Sequence, residues 1–294
     1  MSEYETDTFE SEDEVYELSR RDVGAVLEAV EAGARDELIS LMEPMHAADI
    51  ADLLEQISSA DRYALIELYG VEFDGEILSE LDESIREDVI SALRPEVLAE
   101  AVRELESDDV VDLLEDLEQP QQDAIFSALD DADAMVARQA LSYPEESAGR
   151  MMQREVVAAP EHWSVGDVID FMRSSEDLPE QFYHVVLVDT RMHPVGNVTL
   201  GRIMGAPRKQ PLRDLTEEVF QIIPVDQDEG DVAYAFNQYH LISAPVVDDE
   251  GRLVGVITID DAMVVLDEEH EEDILRRAGV GEGSLTDRVI STTK

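Results

Sequence analysis

The sequence predicts a multidomain chain: an all-α superhelical N-terminal part, followed by an α/β part made of two copies of one module. Three observations carry that reading. From about residue 15 to 141 apolar residues recur at i, i+3 and i+4, and no β-branched alternating run interrupts them. Inside that part AADIADLLEQI (47–57) and SDDVVDLLEDL (107–117) match at an offset of 60. Further on, VLVDTRMHPVGNVTLGR (186–202) aligns without a gap with PVVDDEGRLVGVITIDD (245–261), at an offset of 59.

Residues 1–14, MSEYETDTFESEDE, have no apolar stretch and read as a disordered acidic tail rather than a signal peptide. Over 15–141 the breaks are short and polar, as at Ser58-Ser59 and Glu118-Gln119-Pro120. In the helical echo Asp49/Asp109, Asp52/Asp112, Leu53/Leu113, Leu54/Leu114 and Glu55/Glu115 are identical, and the segments that follow, DRYALIEL and QQDAIFSAL, keep one apolar spacing. Helix pairs repeated in this way stack as a short superhelix, which offers surface and a lever rather than a pocket. After Tyr143-Pro144 the period changes. Residues 185–188, 195–199, 245–247 and 253–259 read as strands, and 164–174, 230–239 and 260–277 as helices. Val188-Asp189, Val195-Gly196 and Thr199 meet Val247-Asp248, Val254-Gly255 and Thr258 in the second copy; upstream, Gly166-Asp167-Val168 meets Gly230-Asp231-Val232.

Charge narrows the function. The chain has 294 residues, with 71 Asp plus Glu against 21 Lys plus Arg, a net charge of −50. Such a surface repels phosphate backbones and anionic headgroups, which argues against nucleic-acid or peripheral membrane binding. Adaptation to a salt-rich cytoplasm and cation binding both account for it; the first explains the bulk and leaves individual positions open. There is no cysteine, hence no disulfide scaffold, thiolate site or cysteine nucleophile, as expected of a cytosolic protein. The longest aliphatic runs, VVLV (185–188) and MVVL (263–266), are far short of the ~20 residues that span a bilayer. His46, His162, His184, His193, His240 and His270 are scattered, with no nucleophile–base spacing or phosphate loop, so no enzyme activity is expected. Met151, Met152 and Trp163 read as packing residues.

The stretch VITIDDAMVVLDEEHEED (256–273) concentrates carboxylates beside an apolar run. On one helix Asp261, Glu268 and Glu272 form a stripe, Glu269 and Asp273 are neighbours, and Ala262, Val265 and Leu266 face the core. Like charges this close repel by a few tenths of a kcal/mol per pair, which a divalent cation relieves. A solvated acidic face is the other reading of the same pattern.

The module of helix, strand, acidic turn, V-G-x-x-T strand and helix resembles the cystathionine-β-synthase (CBS) domain, which occurs in pairs. SAGRMM (147–152), VVAAPEHWSVGDVIDFMR (156–173) and HEEDILRRAGV (270–280) extend the resemblance to the cytosolic region of MgtE-type magnesium transporters and channels. It implies a disordered tail (1–14), a helical MgtE-N-like domain (15–141), a linker with the first CBS module (142–210), a second CBS module (211–266) and the start of a connecting, or plug, helix (267–294). It further implies a homodimer through the CBS domains at the inner face of the cell membrane. The partner is a magnesium-transporting transmembrane domain, in the same chain after Lys294 or in a separate protein.

The same resemblance implies that Mg2+ bridges the domains. Matched motif by motif, Asp261 is the CBS acid facing the N domain, with Glu76 (in DGEIL) and Asp108 (in ESDDV) opposite, and Asp112 faces the linker near Gly149 and Arg150. Asp228 faces the connecting helix at Glu269, Glu272 and Asp273. Gly230 and His240 stand where the family often has acids, and His240 reads as a turn residue. An adenosine nucleotide (ATP) is a further candidate ligand, not assigned: the second module carries the ribose-binding pattern Thr258…Asp261, but the first has Thr199…Arg202. The alternative function is accordingly a nucleotide-responsive CBS adaptor whose acidity serves salt tolerance alone.

Overall fold

The structure, a computed structural model, describes residues 20–266 apart from 116, 176, 177 and 180. The expected acidic tail (1–14) and connecting helix (267–294) lie outside the described residues. The chain divides into two compact units, one holding the residues up to Leu105 together with Leu113–Ala134, the other Glu106–Asp112 and the chain from Met135.

The first unit is helical. Its elements are α1 (Arg20–Ala32), α2 (Arg35–Met42), α3 (Ala47–Gln56), α4 (Ser59–Tyr69), α5 (Glu76–Ser79), α6 (Glu83–Ala92) and α7 (Pro95–Glu104). After α8 (Ser107–Glu115), which begins in the second unit, come α9 (Gln119–Ala128) and the start of α10 (Asp131–Ala140). Packing runs between next-but-one helices, α3 with α5, α5 with α7, α7 with α9 and α4 with α6, as stacked helix pairs require. The echo at offset 60 extends to side chains. Arg62 Nε donates to Leu54 O at 2.8 Å, and Gln122 Nε2 donates to Leu114 O at 2.8 Å, so matching positions close the end of the preceding helix in both copies. Gly75 lies so close to α7 that a Cβ would stand 2.2 Å from Ala101 O.

In the second unit, α11 (Ala148–Met151) leads into β1 (Ala158–Pro160), α12 (Val165–Ser174), β2 (His184–Val188), β3 (Pro194–Thr199) and α13 (Leu200–Gly205). The second copy follows as β4 (Ile223–Pro224), α14 (Glu229–Tyr239), β5 (Ser243–Val247) and β6 (Leu253–Thr258), after which residues 259–266 are helical. Each module has a three-stranded sheet, β1-β2-β3 or β4-β5-β6, with a parallel first pair and an antiparallel second pair. A register shift falls between Leu187 and Val188 and again between Val246 and Val247. The hairpin turns also match. Asp189 Oδ1 accepts from the amides of Arg191 and His193, and Asp248 Oδ1 accepts from those of Glu250 and Arg252.

The glycine of V-G-x-x-T has one physical reason in both copies: a neighbouring segment crosses over it. A Cβ on Gly196 would stand 2.7 Å from Thr216 Cγ2, and one on Gly255 would stand 2.6 Å from Gln153 O and 2.7 Å from Met152 Sδ. One core is made by Val165, Val168, Val185, Leu187, Val198 and Ile203, with Trp163 edge-on to Phe171 at its margin. The other is made by Val232, Phe236, Val246 and Ile257, together with Ala148 and Met152 from α11 and its C-cap. The residues of SAGRMM therefore belong to the second module's core. Ser147 bridges to Asp228, Ala148 N donates to Gln227 O, and Gly149 N donates to Val225 O, with the Tyr143 ring occupying the space a Gly149 side chain would need.

Candidate metal centre

Helix α7 ends at an extended Leu105, and Glu106, Ser107, Asp108 and Asp109 then open α8. Carboxylates suit that end of a helix, where unpaired amides carry partial positive charge. Asp108 is only 7% exposed, while Glu106 and Asp109 are half-buried. In the same unit, β6 ends at Thr258, a buried residue whose hydroxyl meets two carboxylates. It donates to Asp261 Oδ2 at 2.8 Å and closely contacts Asp260 Oδ1, and the Thr258 amide adds a longer bond to Asp261 Oδ2 at 3.4 Å.

Gln153 ties these acids to strand β6. Its backbone N and O pair with Val256 O and N, both at 2.9 Å, over the space left by Gly255. Its side-chain amide donates to Glu106 Oε2 at 2.8 Å. Ser107 Oγ donates to Glu155 Oε2 at 2.7 Å and accepts from the Arg154 amide at 2.8 Å. Backbone and neutral donors hold the start of α8 here.

The electrostatics follow from burial and proximity. Desolvation pushes the Glu106 carboxyl up to about 6, helped by the charges of Glu155, Asp261 and Asp260. Desolvation likewise pushes Asp109 up to about 7, with Asp261, Glu106 and Asp112 adding to the shift. Asp261 rises to about 6, mainly through burial, although the Thr258 hydroxyl favours its ionised form. Asp108 is held well above the usual carboxylate range by burial and by Asp261, Asp109 and Glu106. The largest side-chain charges acting on these four, among the described residues, are other carboxylates. Near neutral pH such a group takes up protons or a cation. Its donors are hard oxygens, which suit magnesium, an ion usually held through one or two carboxylates with several waters retained. Among the described residues no three His, Asp or Glu side chains converge as a complete ligand set.

Of the residues singled out from the sequence, Asp108 and Asp261 are brought into one field. Asp112 is exposed on α8 and acts on Asp109. Glu76 is exposed at the first turn of α5, in the first unit. Asp228 is exposed and caps α14, accepting from the Asp231 amide at 3.3 Å. Glu269, Glu272 and Asp273 lie outside the described residues. His240 is an exposed turn residue at the end of α14, with φ +54°. Glu106, Asp109 and Gln153 were not singled out from the sequence. The signal for the acids was the run ESDDV opening a helix, where three carboxylates crowd one turn; nothing in the charge pattern marks a glutamine.

The profile of the MgtE intracellular N domain matches residues 45–146, and that of the CBS domain matches 148–209 and 212–268. The chain is 30% identical over 257 residues to a magnesium transporter MgtE of Thermus thermophilus, covering 86% of this chain and 57% of the relative. The chain is a homologue of the MgtE magnesium transporters. With an MgtE of Bacillus subtilis it shares 23% identity over 244 residues, 82% of this chain and 54% of that one. The chain thus spans a little over half the length of these MgtE relatives. A solved cytosolic domain of the Mg2+ channel MgtE in complex with ATP is similar at TM-score 0.75 and 28% identity, over 83% of this chain and 99% of that one. The soluble part of a magnesium transporter is similar at TM-score 0.72 and 25% identity, over 85% and 98%. Within this MgtE frame Glu76, Asp108 and Asp112 fall in the N-domain match, and Asp228 and Asp261 in the second CBS match.

Proposed function

We propose that the chain is the cytosolic magnesium-sensing region of a magnesium transport system. The observation that carries this reading is the pooling of Glu106, Asp108, Asp109 and Asp261, on which the largest charges acting, among the described residues, are other carboxylates. Each carboxylate is costly to bury ionised, so the arrangement that brings them together is favoured when a divalent ion neutralises them. At high Mg2+ the ion links Asp108 and Asp261, with Glu76, Asp112 and Asp228 and the acids at 269, 272 and 273 contributing further bridges. A compact homodimer, joined through the CBS pair, then holds an attached transmembrane pore closed at the inner face of the membrane. At low Mg2+ the carboxylates repel and the population moves to the open arrangement. A cytosolic sensor of this ion needs sites of on the order of 10⁻⁴–10⁻³ M. The rest of the acidic surface serves solubility in salt.

A second reading, nucleotide control, draws on the ATP complex of a similar domain and on the bonded Thr258–Asp261 pair. Against it, the matching Arg202 of the first module donates to Leu215 O and Thr216 O and offers no carboxylate. Thermal melts and solution scattering at fixed ionic strength separate the readings. Mg2+ is expected to raise Tm and shrink the radius of gyration while K+ does neither, and Asp261→Asn or Asp108→Asn weakens the response without unfolding the chain. Stabilisation by ATP alone, with no response to Mg2+, transfers the function to the second reading.

A further inference from the structure

The first module buries a polar side chain that its repeat does without. Asn197 lies in β3 opposite Val186 of β2 and is 5% exposed, while the matching position in the second module is the buried Val256. A strand position that takes valine in one copy has no packing reason to take asparagine in the other. The carboxamide is also poorly partnered where it stands. Its Nδ2 donates to Glu217 Oε2 at a long 3.4 Å, and its Oδ1, shut off from solvent, has no hydrogen-bond partner. The same Glu217 Oε2 lies 3.2 Å from His184 Nε2, and the other ring nitrogen of His184 meets Ser243 Oγ at 2.6 Å. Glu217 is fixed through its backbone: its amide donates to Asn197 O at 3.1 Å, and Arg202 Nη1 donates to the preceding carbonyls of Leu215 and Thr216.

The geometry points to a site for a first-row transition-metal ion of the Zn2+ class, held by His184 Nε2, Glu217 Oε2 and Asn197 Oδ1. An ion about 2.0–2.1 Å from each ligand in tetrahedral coordination sets those ligands about 3.3–3.4 Å apart. The Glu217 oxygen stands 3.2 Å from the ring nitrogen and 3.4 Å from the carboxamide. The last torsion of an asparagine is soft, and turning about it brings Oδ1 to the ion, which gives the buried oxygen the partner it lacks. With the ion bound, His184 Nδ1–H donates to Ser243 Oγ. That leaves the Nε2 lone pair to the metal and fixes the ring, the support that metal-bound histidines take from their surroundings. An imidazole suits zinc and its neighbours, whereas magnesium takes oxygen. The Glu217 side chain is 28% exposed, so an ion and a bound water at the fourth position have a way in. The inference goes beyond the magnesium-sensing reading and does not rest on it, since it uses none of the acids named there.

The test titrates the full chain with ZnCl2 in excess MgCl2 at fixed ionic strength, following heat and Tm. Wild type is expected to bind a single Zn2+ and to melt higher, with an imidazole in the ligand shell by X-ray absorption. His184→Gln and Asn197→Val, the latter copying the second module, are expected to weaken Zn2+ binding by at least about tenfold, and Ser243→Ala, one step removed from the ion, by about tenfold. Circular dichroism in chelator checks that each variant is folded, and Asn197→Val, which only removes a buried polar group, carries the test should His184→Gln unfold. Equal Zn2+ affinity in wild type and in a folded His184→Gln or Asn197→Val overturns the inference. A ligand shell of oxygens alone, which places the ion on surface acids, overturns it too, as does the absence of Zn2+ binding over Mg2+. The response to Mg2+ alone is expected to be unchanged in all three variants, so either reading can fail without the other.

Discussion

The His184 imidazole and the Ser243 hydroxyl meet at 2.6 Å, and they are the same position in the two modules, 59 residues apart, each opening the middle strand of its sheet. The other ring nitrogen of His184 lies 3.2 Å from Glu217 Oε2. Both residues are buried, so where the modules meet a titratable ring sits among polar partners.

That relationship makes stability depend on pH. Burial lowers the His184 pKa from 6.5, outweighing the pull of the Glu217 carboxylate in the other direction. The unfolded chain therefore binds this proton more readily than the folded one. The stability that His184 contributes is present above pH 6.5 and is lost as the pH falls through the folded value. His184→Gln, which keeps a polar group for Ser243, is expected to flatten the Tm–pH curve relative to wild type below that pH. Parallel curves would contradict the assignment.

The acid cluster predicts the opposite slope. Glu106, Asp109 and Asp261 have pKa values raised to about 6, about 7 and about 6. A group whose folded pKa is raised stabilises below its unfolded value, near 4, and that stability disappears as the pH rises through the folded value. In chelator, Tm is expected to fall by about 5 °C or more between about pH 5 and pH 8, and saturating Mg2+ to suppress that fall. Mg2+ binding near pH 6 should release protons, read as a dependence of the titration heat on buffer ionisation enthalpy.

Glycine substitutions separate crossing points from open surface. Gly255→Ala places a Cβ 2.6 Å from Gln153 O, against backbone that is itself paired with Val256. Chemical denaturation is expected to show a loss of about 2–3 kcal/mol. Gly201, inside α13 with nothing within 4 Å, behaves differently. There alanine is expected to add about 0.5–1 kcal/mol.

The helical echo is testable by exchange. Arg62, buried, bonds Leu54 O as Gln122 bonds Leu114 O. Arg62→Gln, which copies the second repeat into the first, is expected to cost no more than about 1 kcal/mol in denaturant melts. Arg62→Leu strands the carbonyl and is expected to cost about 1–3 kcal/mol.

The order of elements was legible because it rests on period. Helices expected at 164–174 and 230–239 run over Val165–Ser174 and Glu229–Tyr239, and the hairpin strands fall where the V-G-x-x-T echo put them. Strands β1 and β4 were not legible: two or three residues ending in proline show no alternation, and only parallel pairing across the sheet defines them. Helix α13 was hidden by Gly201 and Gly205, which lower helix propensity. At the candidate site the acids on motif positions, Asp108 and Asp261, could be named, while Asp109 required the phase of a helix opening and Gln153 required the backbone bridge to Val256. Which module the SAGRMM stretch joins could not be read at all, since Ala148 and Met152 are apolar residues that suit either core.

The most direct measurement replaces Mg2+ with Mn2+, which also takes oxygen ligands octahedrally, and locates the ion by anomalous scattering from crystals of the full chain. The predicted result is a peak at ligand distance, about 2.0–2.2 Å, from a carboxylate oxygen of Asp108 or Asp261, absent in the Asp108→Asn, Asp261→Asn double variant. Ions found only at solvated acids elsewhere, with Glu106, Asp108, Asp109 and Asp261 left to protons alone, would contradict it.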